Sequence, residues 1–206
     1  TSRIAHQKGF DVVLRLLPFL LRLDIQIIFM GDGSENYIKE IKNLNKKFPK
    51  KIFWMPFRDN HDIETLVYAG SDFFVLPSYY EPCGINQMIS MRYGCIPIVR
   101  ETGGLYDTVK NFNPGSKNGT GFTFRYEDEF SFFWAIVRAL ETYKYKDVWN
   151  SIIERAMSQS SSWEIPAQKY VKLYKKAIKI IMKECYHVRY LMSTDIQSIC
   201  RGRNFI

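Results

Sequence analysis

The feature that most constrains the fold is a series of short apolar runs, each of strand length and each bounded by turn residues. They lie at residues 25–30, which end at Gly31-Asp32-Gly33, and at 52–55, 72–77, 95–99 and 121–124. A run with no polar alternation reads as a strand buried on both faces. Between the runs lie segments with helical spacing: 9–23, a stretch to about Lys47 that Ser34 can cap, 62–69, 84–93 and 105–110. Parallel strands need crossover connections, and a helix between successive strands supplies them. The expected fold class is therefore α/β, a mainly parallel sheet flanked by helices. After Phe124 the strands stop, and 128–143, 147–158 and 163–184 read as extra C-terminal helices, with Ser162 as a cap for the last. Beyond Glu184 the periodicity fades, which predicts one domain over 1–184 and a poorly ordered tail over 185–206.

Composition removes several classes. The 206 residues are 46% hydrophobic and 24% charged, which suits a globular domain and excludes a disordered chain. The longest apolar stretch, 12–23, is broken by Arg15, Pro18 and Arg22, so no run reaches the roughly 18 residues of a membrane span. A net charge of +8 is compatible with nucleic acid, anionic lipid or a phosphorylated small ligand. Its distribution decides more than its size: Lys39, Lys42, Lys46, Lys47, Lys50 and Lys51 form one block and Lys169, Lys172, Lys175, Lys176, Lys179 and Lys183 another, and both read as solvated helix faces. No nucleic-acid partner and no membrane partner are expected. Cys83, Cys95, Cys185 and Cys200 have neither a disulfide nor a zinc spacing, which favours a reducing compartment. Thr1-Ser2-Arg3 has no initiator Met and enters a motif at once, so a fragment is expected. His6 and His61 read as loop or surface groups, and Trp54, Trp134, Trp149 and Trp163 as core anchors.

In a Rossmann-like sheet, ligands sit beyond the carboxyl ends of the strands. The chemistry is accordingly sought in three loops. Arg3 and Lys8 stand five residues apart before Gly9, where a helix starts: a forked guanidinium, a point charge and free amides suit a diphosphate. Pro77-Ser78-Tyr79-Tyr80-Glu81-Pro82-Cys83-Gly84 follows a strand and carries one carboxylate beside a stiffening proline. Arg100-Glu101-Thr102-Gly103-Gly104-Leu105 offers a diglycine to an anion. Each signal alone is a weak one. At one edge of one sheet, two cations, a carboxylate and a phosphate cradle are what a nucleotide-sugar requires.

Arg3-x4-Lys8-Gly9, Pro77-Ser-x-x-Glu81-Pro-Cys-Gly84 with Gln87, Thr102-Gly-Gly-Leu105 with Asp107-Thr108-Val109, and the late Ser162-Trp163-Glu164 resemble the C-terminal nucleotide-sugar-binding domain of the bacterial glycogen synthase and plant starch synthase family. The resemblance covers residues 1–182, and the Glu-Pro-Cys-Gly element is the most specific part of it. It implies the C-terminal half of a GT-B fold, with a first strand before Thr1. It also implies transfer of glucose, with retention, from ADP-glucose or UDP-glucose to the non-reducing 4-hydroxyl of an α-1,4-glucan. The donor is a substrate, and neither a cofactor nor a metal is required. By carry-over, Arg3 and Lys8 would neutralise the leaving diphosphate, Glu81 would hold the hexose and face the developing positive charge, and Cys83 and Gly84 would lie against the sugar. Thr102, Gly103 and Gly104 would meet the distal phosphate and sugar, and Phe57 would pack on the base.

This sequence departs from the family's pattern at Tyr79, where Arg is usual, at Asn86, where Thr is common, and at Tyr106, where Ala is common. Ile89 replaces the second Glu of the Glu-x7-Glu pattern of related transferases, which favours the synthase branch. The family's N-terminal domain, which carries the acceptor site, is the implied partner, and little transfer is expected without it. The implied compartment is the cytoplasm, or a plastid in a plant or alga. Two other readings stay open: a different retaining hexosyltransferase of the same architecture, and a non-catalytic nucleotide-sugar or glucan-binding module.

Overall fold

Every apolar run named above contains a strand, and every strand pairing is parallel. The computed structural model describes residues 1–57 and 61–201, with the backbone alone for His61 and 184–201. The chain forms two compact units, 1–159 and 160–206. In the first, β1 (Ile27–Met30) pairs with β2 (Ile52–Met55), and β3 (Phe73–Leu76), β4 (Ile96–Arg100) and β5 (Phe122–Phe124) pair in that order. The helices α1 (Phe10–Leu20), α2 (Glu35–Lys47), α3 (His61–Ala69), α4 (Asn86–Arg92) and α5 (Gly103–Thr108) alternate with them, followed by α6 (Glu129–Tyr143) and α7 (Lys146–Ser158). None of the helices is long and apolar enough, among the described residues, to cross a membrane.

Two features of the strands differ from the sequence reading. The strands form two parallel ladders rather than one sheet, joined through the N-terminal segment: Ser2 N–H donates to Met30 O (3.1 Å), Ile4 N–H to Asp32 O (2.8 Å), and Tyr79 N–H to Gln7 O (2.9 Å). Burial on both faces holds for β4 and β5, whereas Ile28, Phe53 and Val75 leave one exposed apolar side chain in each of β1, β2 and β3. Of the described strands, β4 alone has a neighbour on each side.

Side-chain periodicity sets the rest of the packing. On α6 the buried positions are Phe132, Ala135, Ile136 and Ala139, a helical stripe that leaves Trp134 on the outer face. Trp134 is thus 49% exposed and meets Phe130 edge-on at 5.9 Å, contrary to its expected role as an anchor. Trp149 does anchor the core, 5.0 Å from Phe73 and 5.2 Å from Tyr143. Trp54 is partly buried, with the Lys42 ammonium 4.4 Å over its ring. Asp128 caps α6 by accepting from Ser131 N–H at 2.7 Å, while Ser34 makes no side-chain cap and donates its backbone N–H to Ile4 O instead. The first lysine block is exposed except for Lys51, whose ammonium donates to the carbonyls of Leu21 and Leu23 just past the end of α1. Burial pushes the Cys95 thiol pKa up to about 12, so it stays a neutral core group, and Cys83 is an exposed free thiol. The side chains of Cys185 and Cys200 lie outside the described residues.

Among the described residues, the second unit holds one helix, α8 (Glu164–Arg201). Its start agrees with the sequence: Ser162 Oγ accepts from Glu164 N–H at 3.3 Å, and Pro166 sits in the first turn, where its missing N–H does no harm. The helix does not stop at Glu184, because no Gly or Pro occurs between Ala167 and Arg201 to end it. Its backbone runs through most of the stretch expected to be a loose tail, and 202–206 lie outside the described residues. All six lysines of the second block are exposed, as expected of a solvated face. Trp163, 73% exposed, is not a core anchor, since the described part of its unit is a single helix.

Candidate functional site

Two glycines bring the strand-end loops together. Gly9, in the left-handed region at φ 75°, starts α1 against the loop after β3: a Cβ there would stand 2.2 Å from Pro77 O. Gly104 lets the loop after β4 touch the same loop, since a Cβ on it would stand 2.0 Å from Cys83 O. Gln7 Nε2 donates to Tyr80 O at 2.9 Å and completes the join.

The result is a cleft of about 460 Å³ at the carboxyl ends of the strands, lined by Arg3, Lys8, Phe57, Glu81 and Gly84 among the residues expected from sequence. Glu64 of α3 and Asn86 at the start of α4 also line it. Asn86 is one of the departures from the family pattern; Glu64 gave no signal, being one carboxylate in a short helix. At the centre, the Lys8 ammonium pairs with Glu81 Oε2, with Ser78 Oγ 3.4 Å from the same oxygen. The two side chains are only 14% and 10% exposed, so each is the other's compensation for lost hydration, and removal of either strands a charge. Arg3 is exposed and only loosely held, its Nη2 3.4 Å from Gln7 Oε1.

The other expected residues are placed differently. Cys83, Thr102, Gly103 and Gly104 are not among the residues that line it. Thr102 N–H donates to Arg100 O (2.9 Å), and Gly104 N–H points to Glu81 O (3.1 Å) and Pro82 O (3.2 Å). Of the amides expected to meet a phosphate, that of Gly104 thus ties the diglycine loop to the carboxylate loop, while that of Thr102 turns back on the end of β4. The residue that sequence reasoning missed is Arg100. Its guanidinium, buried at the end of β4, donates from Nε to Ser78 O (2.8 Å) and from Nη2 to Tyr79 O, and pairs with Glu127 Oε1 at 3.0 Å. Only its place beside the diglycine could have hinted at this.

Tyr79, in the family's Arg position, donates from its hydroxyl to Asp11 Oδ2 (2.8 Å), and Arg15 Nη1 meets the same oxygen at 3.1 Å. Burial by itself raises the Asp11 pKa, but the Tyr79 hydroxyl and the charges of His6 and Arg15 outweigh it and hold the carboxyl below its ordinary value. Burial and the Asp11 carboxylate together raise the Tyr79 phenol. The His6 side chain is 70% exposed and packs its ring 4.9 Å from that of Tyr79, in keeping with a surface role; the side chain of His61 lies outside the described residues. Among the described residues, no group of three or more His, Cys, Asp or Glu is placed to hold a metal ion.

Residues 1–155 match the family of glycosyl transferases group 1. The chain belongs to that family. Among curated relatives, it is 42% identical over 177 residues to a glycogen synthase of Kosmotoga olearia, and 43% identical over 176 residues to one of Fervidobacterium nodosum. These matches take in 86% and 85% of the chain, but the chain spans only 37% and 36% of those relatives' length. Among solved structures, the catalytic domain of starch synthase IV from Arabidopsis thaliana, bound to ADP and acarbose, superposes with a TM-score of 0.77 at 32% identity, over 86% of this chain and 37% of that one. The fold class read from sequence stands: parallel α/β, Rossmann-like, and part of a GT-B architecture.

Proposed function

We propose that the chain is the donor-binding portion of a glycogen or starch synthase, which moves glucose with retention from ADP-glucose or UDP-glucose to the non-reducing 4-hydroxyl of an α-1,4-glucan. The observation that carries this reading is the cleft in which Arg3, Lys8, Phe57, Glu81 and Gly84 meet, in a chain about two-fifths identical to glycogen synthases over most of its length. In this account Arg3 and Lys8 receive the diphosphate. Departure of the sugar concentrates negative charge there, so preplaced cations favour the transition state over the bound donor. Glu81 faces the sugar and the positive charge that develops on it. The bond from the anomeric carbon to the diphosphate breaks as the bond to the acceptor oxygen forms, and the leaving phosphate takes the acceptor's proton. Phe57 packs on the base, while Cys83, Thr102, Gly103 and Gly104 act by holding the two loops against each other.

The glucan and the remaining length of the relatives' chains are the proposed partners. Because this chain spans 36–37% of those relatives, little or no glucan elongation is expected from the 206 residues alone. Calorimetric titration with ADP, UDP and their glucose conjugates tests the reading. Micromolar to millimolar binding that vanishes in an Arg3→Ala/Lys8→Ala double variant supports it, and binding that survives the double variant removes the diphosphate from this cleft.

A further inference from the structure

Gln87 is fully buried on α4 and belongs to no element of the mechanism above. Its side-chain nitrogen donates to Gly84 O (2.9 Å), Thr108 Oγ1 (3.0 Å) and Cys83 O (3.2 Å), while its own Oε1 has no partner. Thr108, on α5, extends the chain of hydrogen bonds: its hydroxyl donates to Gly104 O at 2.6 Å. One amide therefore joins the carboxylate loop to the diglycine loop. Its orientation follows from its neighbours, because the opposite assignment would set an acceptor against two carbonyls.

The carbonyls it holds decide which way the neighbouring amides face. In a trans peptide the C=O and the following N–H point in opposite directions, and the described chain has no cis bond. With the Cys83 and Gly84 carbonyls turned inward to Gln87, the N–H groups of Gly84 and Ile85 turn outward, and both residues line the cleft. We infer that Gln87 is a positioning residue for the sugar end of the donor: it fixes two backbone donors of the cleft and, through Thr108, keeps the diglycine loop in step with them. The inference rests on the donor-binding reading above, and it separates two halves of that site. The diphosphate end depends on Arg3 and Lys8, which Gln87 does not touch.

The test is calorimetric titration of the whole chain with ADP and ADP-glucose, and in parallel with UDP and UDP-glucose, for the unsubstituted protein, Gln87→Met, Thr108→Val and the double variant. Met keeps the length of the side chain without a donor, and Val keeps the shape of Thr without its hydroxyl. Gln87→Met should leave affinity for the diphosphate within about twofold and weaken the glucose conjugate about tenfold, the size expected when one hydrogen-bonding group of a preorganised site is removed. Thr108→Val should shift the same ratio by a smaller factor, and the double variant should be no worse than Gln87→Met, because the two act in one chain of hydrogen bonds. Loss of diphosphate and conjugate affinity in equal measure overturns the inference, as does an unchanged ratio. Should Gln87→Met fail to fold, Thr108→Val alone decides by the same ratio. An unsubstituted chain that binds diphosphate but gains nothing from the glucose overturns the inference and leaves the cation site standing; one that binds neither overturns both.

Discussion

The carboxyl edge of the strands and α8 are both rich in charge, and they treat it in opposite ways. At the strand edge the buried charged groups meet specific partners, with Arg3 left exposed: Lys8 has Glu81, Asp11 has Tyr79 and Arg15, and Arg100 has two carbonyls and Glu127. On α8 the six lysines occupy about one third of the helix circumference, while Leu173, Ile178 and Ile181 on the remainder are 57%, 57% and 60% exposed. The difference teaches that a periodic sequence is enough to make a helix, whereas a site needs polar groups taken out of water and matched one to one. Changes at the strand edge and its core should therefore be felt strongly, and changes along α8 hardly at all.

The largest effect is expected at the aromatic anchor by the amino ends of β3 and β5. Trp149→Ala should lower the unfolding free energy by about 3–5 kcal/mol in urea denaturation, since it empties a site packed by Phe73, Phe122 and Tyr143. Next comes Arg100→Met, which leaves the Ser78 and Tyr79 carbonyls without their donor; a loss of about 2–3 kcal/mol is expected by the same measurement. A value near zero for Arg100→Met would erase the contrast with α8. A smaller effect attaches to Asp11. Its pKa lies below the ordinary value in the folded chain, so the stability it adds is present above about pH 4 and is lost as the pH falls through the folded pKa. Urea midpoints at about pH 6 and about pH 2 should show the gap between the unsubstituted chain and Asp11→Asn narrowing in acid. The smallest effect belongs to α8, where Ile181→Ser and Lys179→Ala should each change the thermal midpoint of the 1–159 unit by less than about 1 °C, as exposed positions do.

What could be read in the sequence follows the same divide. The strands are legible because runs such as Ile52–Met55 carry no polar side, and the loops are legible because Gly9 and Gly104 mark close approach. The role of Arg100 is not, and that of Gln87 only as one letter of a motif, since each is explained in part by a partner far along the chain: Ser78 for Arg100, 22 residues away, and Thr108 for Gln87, 21 away. The outward face of Trp134 escapes sequence reasoning for a related reason, because residue type suggests a core anchor and only the buried stripe of α6 says otherwise. The continuation of α8 past Glu184 escapes it because a fading amphipathic pattern does not separate an exposed helix from a loose tail, and the absence of Gly and Pro is the better guide.

The central claim is that the Lys8–Glu81 pair holds the cation that a donor's diphosphate will take over. Titration of Glu81→Gln with ADP, beside Lys8→Ala and the unsubstituted chain, addresses it directly. Neutralising Glu81 frees the ammonium, so Glu81→Gln should bind ADP about threefold to tenfold more tightly and Lys8→Ala about tenfold more weakly, with the gain of Glu81→Gln shrinking for ADP-glucose, whose sugar loses its carboxylate. Equal ADP affinity in all three proteins would contradict the claim.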